Sequence, residues 1–140
     1  MDCRCLPRIL PLLLALHLAT AHAAPVVAVL QSEPIILINT TELTDADVTL
    51  KQDVTFKIDP RGSKSAKQIF RLDIRSTVKR KLGWDIGPGG LPATQFKESF
   101  GFKLPLAIEA TPGRILLAFQ YDDTVNVWNL IASTAPPTVP

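Results

Sequence analysis

The side chains on which most small-enzyme chemistry and most zinc sites depend sit at one end of this chain. Its two His (His17, His22), both Cys (Cys3, Cys5) and its single Met (Met1) fall within the first 23 residues. From residue 24 onward there are none, which excludes a Ser-His-Asp or Cys-His catalytic set. It also excludes a zinc site built on Cys or His. Ser76-Thr77-Val78-Lys79 fits the S-x-x-K nucleophile pattern. Its companions S-D-N and K-T-G are absent, and the segment reads as strand rather than as the start of a helix. Asp122-Asp123 and Asp45-Ala46-Asp47 are the remaining paired carboxylates. Adjacent aspartates commonly cap backbone N–H groups in turns. The Asp45 segment lacks the third oxygen ligand, the central Gly and the closing Glu of a calcium loop. The expectation is therefore no enzyme, no catalytic residue, no metal and no cofactor.

Binding chemistry is better represented. Gly83-Trp84-Asp85-Ile86-Gly87-Pro88-Gly89-Gly90-Leu91-Pro92 holds four Gly and two Pro in ten residues, too irregular for one strand or helix. No Gly-Lys-Ser/Thr follows it, so it is not a phosphate loop. Trp84 is either a loop-borne contact residue or a plug for one end of the core, the reading that the usual burial of large aromatics favours. Charge is blocked along the chain. Residues 24–60 carry a net −4, and residues 61–81 a net +7. Within the basic block, Arg71, Arg75, Lys79, Arg80 and Lys81 are, with Trp84, the candidates for a protein partner or an anionic glycan. The competing reading is a solvated strand face whose blocks disperse on folding. Nucleic acid is not expected as a partner of an exported chain. Asn39-Thr40-Thr41 is an N-glycosylation sequon, which makes Asn39 a candidate modification site.

These residues need a scaffold, and the leader comes first. Arg4 and Arg8 precede a short apolar run, Ile9 to Leu18, and Ala21-His22-Ala23 is a small-x-small cleavage signal. Ten or so apolar residues cannot span a bilayer core that needs about 20. Residues 1–23 are expected to be a cleaved signal peptide, and the product secreted, with no transmembrane span: periplasmic or on the surface of a bacterium, extracellular in a eukaryote. The remaining 117 residues, with 13 basic against 12 acidic side chains, suit one domain. That domain has no cysteine for a disulfide, so packing or a partner must stabilise it.

Period two points to strands. Val54 to Asp59 alternates, as does Phe70 to Val78, placing Phe70, Leu72, Ile74 and Val78 on one face. Arg114–Tyr121 and Thr124–Ile131 flank Asp122-Asp123, a plausible tight hairpin. Val26 to Leu30 and Ile35 to Ile38 are apolar runs set off by Pro25 and Pro34. Lys103 to Leu106 would be an edge strand because of Pro105. Thr41 to Ala46 is the one helix-start signal, and no internal repeat is visible. Seven or so strands in about 100 residues predict an antiparallel β-sandwich, immunoglobulin-like or pilin-like, over residues 24–131. A flexible Pro-rich tail is expected over 132–140.

The stretch from Ala24 to Asn39 is apolar and carries only Glu33 as a charge. In general character it resembles the donor strand of cysteine-free chaperone–usher pilins. That resemblance implies a structural or adhesive, fimbrium-like subunit assembling by strand exchange through Val26, Val27, Val29, Ile35, Ile36 and Ile38. The alternative is a monomeric extracellular module that binds a glycan or protein with the basic strand and the Trp84 loop.

Overall fold

A computed structural model describes residues 27–41, 44–62, 64–86, 95–99 and 101–136. The expected leader, Val26, the Gly87–Pro92 part of the glycine-rich loop and residues 137–140 lie outside the described residues.

Among the described residues every regular element is a strand. These are β1 (Val27–Leu30), β2 (Ile35–Ile38), β3 (Asp45–Thr49), β4 (Val54–Ile58), β5 (Ile69–Arg75), β6 (Arg80–Trp84), β7 (Gln95–Lys97), β8 (Ala107–Ile108), β9 (Arg114–Asp122) and β10 (Val127–Ser133). They form a six-stranded sheet in the order β1-β3-β5-β9-β10-β7 and a four-stranded sheet in the order β2-β4-β6-β8.

The chain alternates between the sheets from β1 to β6. Odd strands join the larger sheet and even strands the smaller, and each new strand lies beside, and parallel to, the one laid down two elements earlier. The result is three stacked coils, each a strand, a corner and a strand. All three corners have four residues: Gln31 to Pro34, Leu50 to Asp53 and Ser76 to Lys79. The corners are bonded to one another. Ser32 Oγ accepts the Lys51 N–H at 2.9 Å, and Asp53 Oδ1 accepts the Lys81 N–H at 2.9 Å. Only the last part of the fold turns back. β9 runs antiparallel to β5, β10 antiparallel to β9, and β8 antiparallel to β6, while β7 is parallel to β10.

The predicted antiparallel sandwich of immunoglobulin-like or pilin-like layout is therefore corrected to two mixed sheets, parallel where the coils stack. The physical reason lies in the corners. Strict alternation fixes which side chains point inward, but it is the same for parallel and antiparallel neighbours. A link that crosses to the opposite sheet, rather than folding back in a two-residue hairpin, makes successive strands of one sheet parallel.

The space between the sheets is filled by apolar side chains with an aromatic centre. Phe56 stacks on Trp84 at 4.8 Å between centroids, Phe70 on Phe119 at 5.1 Å, and Trp128 meets Phe70 edge-on at 4.8 Å. Phe70, Leu72 and Ile74 face inward as the alternation requires, but Val78 is exposed, because β5 ends at Arg75 and the chain turns at Ser76. The Asp122-Asp123 hairpin is wider than expected. β9 continues through Asp122, and Asp123 to Asn126 form a four-residue turn with Asn126 at a φ of 55°. The helix-start signal is also overridden, since Asp45 and Ala46 begin β3.

Candidate assembly edge and charged face

The apolar N-terminal stretch is the first coil, and the topology places it at the outer edge of both sheets. Among the described residues β1 bonds only to β3, and β2 only to β4. Within that set each strand leaves one side of its backbone without a strand neighbour. Both are apolar on both faces. Ile36 and Ile38 point into the core at 3% and 0% exposure, with Ala28 and Leu30 partly buried against it. Val27, Val29, Ile35 and Leu37 point outward, Val29 at 74% exposure and Leu37 at 52%. Of the residues named from sequence, Val27, Val29 and Ile35 lie on the outer surface, whereas Ile36 and Ile38 belong to the chain's own core. Leu37 was missed. The signal for it was present: a strand apolar at four consecutive positions has nothing polar to offer solvent on either face.

The opposite ends of the sheets differ. β7 has three residues and β8 two. Lys97, Glu98 and Lys103 are exposed there, and Pro105 precedes β8. Short strands, charges and proline are the usual means of blunting a sheet edge.

The basic candidates mostly lie on the outer face of the larger sheet or at its corner, beside the acidic block. β3 lies between β1 and β5, so Asp45 pairs in register with Arg71, and Asp47 with Asp73. Arg71 Nε meets Asp45 Oδ1 at 2.6 Å, and Arg75 Nη2 meets Asp73 Oδ2 at 2.6 Å and Asp47 Oδ2 at 3.8 Å. Arg114, from β9, closes on Asp73 from the other side at 2.8 Å. Three carboxylates thus face three guanidiniums, and the hollow of about 560 Å³ above them has no net charge from these six groups. Burial pushes the Asp73 carboxyl up, but hydrogen bonds from Arg114 and Arg75 outweigh it and hold the group below the usual carboxylate range.

The remaining candidates are separate from this face. Lys79 pairs with Glu109 at 2.7 Å, Lys81 is exposed, and the buried Arg80 Nε has no hydrogen-bond acceptor among the described residues. Trp84 closes β6 rather than standing on a loop. It is half-buried, its ring touches those of Phe56, Phe96 and Phe119, and its Nε1–H donates to Pro105 O at 2.7 Å. Trp84 is thus not brought together with Arg71 and Arg75. Asn39 is exposed just beyond β2, and its Oδ1 accepts the Thr41 N–H at 3.0 Å.

The residues that suggested catalysis have structural partners. Ser76 Oγ donates to Val78 O at 2.6 Å and accepts the Val78 N–H, so the S-x-x-K match is the third corner. Asp122 Oδ1 accepts from the Thr124 hydroxyl and N–H, which lower its pKa as they cap the turn. Among the described residues no group of three His, Cys, Asp or Glu is placed to hold a metal ion. Nor is any helix there long and apolar enough to cross a membrane. The chain matches no protein-family model, no curated protein and no solved structure.

Proposed function

We propose that this chain is a non-enzymatic, exported structural subunit that associates with other copies of itself through its first coil. One observation supports the reading: among the described residues β1 and β2 are the outermost strands of both sheets at the same end, and four large apolar side chains are exposed on them. An open, uncharged strand edge is a template for another strand. In edge pairing Val27, Val29, Ile35 and Leu37 would lie side by side with outward side chains of the neighbouring strand, contacts of about 0.2–1 kcal/mol each. Backbone pairing adds to this and offsets the entropy lost on association.

Edge pairing is preferred to exchange of the coil. Ile36 and Ile38 already fill the chain's own core, so donating the coil would empty that core, whereas pairing at the edge requires nothing to leave. The charged face does not compete as an association surface, because its carboxylates and guanidiniums are matched within one chain. Light scattering on the purified protein over a wide concentration range, at low and high salt, tests the reading. Association that persists in high salt supports it. A monomer at every concentration refutes it, and assemblies that dissolve in salt would move the contact to charged groups.

A further inference from the structure

We infer that the partner is a single second copy, docked head to head across a two-fold axis normal to the two sheets, so that the assembly closes as a dimer and does not grow into a fibre. This rests on the self-association proposed above and adds its geometry. Two features of the molecule lead to it.

The first is that the open edges come as a pair. β1 ends the larger sheet and β2 the smaller one, at the same end of the stack. A partner that satisfies both must offer two strands with the same offset, and the first coil of another copy has that offset by construction. Rotation about an axis normal to the sheets places β1 antiparallel to its own equivalent and β2 antiparallel to its own. Both sheets then continue across the junction. The inward-facing Leu30, Ile36 and Ile38 of the two copies meet in one continuous core. Such an interface is self-complementary, as a two-fold contact must be. Its charge is also permissive, because Glu33 is the one ionisable side chain between Val27 and Ile38, and like meets like with little repulsion.

The second feature is the asymmetry of the two ends. A fibre needs the first coil of one copy to dock on the far end of the next. That end offers three residues of β7 and two of β8, with Lys97, Glu98 and Lys103 exposed beside them. Ser99 and Phe102 are bridged to each other, and the Ser99 hydroxyl is bonded to the carbonyl of Leu130. Although Ile86 and Leu106 are exposed near it, the far end therefore lacks the strand length, among the described residues, to receive the first coil.

The test uses the purified protein and three readouts. Light scattering is expected to give twice the chain mass at high concentration. Val29→Lys with Leu37→Lys, both at exposed positions, is expected to weaken dimerisation at least tenfold while the circular dichroism spectrum stays unchanged. If lysine disturbs folding, Val29→Ser with Leu37→Ser takes its place. Single nitroxide labels on Gln31→Cys and on Lys97→Cys then report the geometry. Across the two-fold axis the 31–31 separation should be shorter than the 97–97 separation by roughly 40–50 Å, because five strand spacings of about 4.8 Å separate the ends of the larger sheet. Head-to-tail stacking would make the two separations equal between neighbours. Masses above the dimer, or equal separations, overturn the two-fold geometry and leave self-association standing. A dimer indifferent to the substitutions overturns the surface, and a monomer under all conditions overturns both readings.

Discussion

Replacing Trp84 with alanine separates a core residue from a binding anchor, and the cost follows from its surroundings. The ring stacks on Phe56 at 4.8 Å, meets Phe96 edge-on at 5.2 Å and lies 5.9 Å from Phe119. Truncating a buried Trp costs about 3–5 kcal/mol, and half-burial places this one near 3 kcal/mol. The lost bond to Pro105 O adds about 1 kcal/mol, since Pro105 is buried and its carbonyl loses a donor. Trp84→Ala is therefore expected to lose about 4 kcal/mol. At roughly 4 °C per kcal/mol for a domain of this size, Tm falls by about 15 °C. Trp84→Phe keeps the stacking and should lose only about 1–2 kcal/mol. Thermal and urea melts at low protein concentration measure both. A Tm for Trp84→Ala within about 3 °C of the parent would refute the reasoning and return Trp84 to the role of an exposed contact residue.

Four further outcomes are expected. Asp59, Asp73 and Asp122 all have folded-state pKa values below the ordinary 3.8. Their contribution is thus fully present above that value and lost as pH falls through the folded values, so an acid titration followed by tryptophan fluorescence should show stability dropping only below about pH 4. Asp73→Asn should cost about 1–3 kcal/mol at neutral pH and flatten that acid limb, the two arginines being half-exposed and able to recover water; an unchanged limb would assign the acid sensitivity elsewhere. Gly113→Ala should destabilise by about 2 kcal/mol or more in a urea melt, because φ is +71° and a Cβ would lie 2.5 Å from the Ser76 carbonyl oxygen. Expressed through a glycosylating secretory pathway, the chain should gain one N-linked glycan that Asn39→Gln removes, as read by intact mass.

The sequence shows the strands and their faces more clearly than their partners. In Phe70 to Ile74 and Val54 to Ile58 the alternation identifies the buried side chains directly, because period two is a local property. Direction is not local. Whether β3 lies parallel or antiparallel to β5 depends on where residues 50–68 travel, and nothing in their composition states that they cross to the other sheet and back. The four-residue corners share a length but no sequence, Gln-Ser-Glu-Pro, Leu-Lys-Gln-Asp and Ser-Thr-Val-Lys, so the repeat exists in space and not in residue types. The charge blocks were visible as blocks. Their mutual neutralisation appears only when β3 is placed against β5. For the candidate assembly edge, the apolar run is legible, while its position at the end of both sheets depends on the topology. Which of its side chains are outward follows from register, and that is how Leu37 joins Val29 and Ile36 leaves the set.

The four-residue corner has a consequence for how such a chain can change in length over evolution. Each coil presents the next with the same strand direction and the same offset between sheets. A tandem duplication spanning residues 45–68 would therefore insert one whole coil between the first and the last, leaving β1 and β2 at one boundary and the β9–β10 hairpin at the other. Gene duplication at this spacing would lengthen the molecule in discrete steps without redesigning either boundary. An insertion of another size would fall most easily in the links between coils, which already differ in length, residues 39–44 against 59–68.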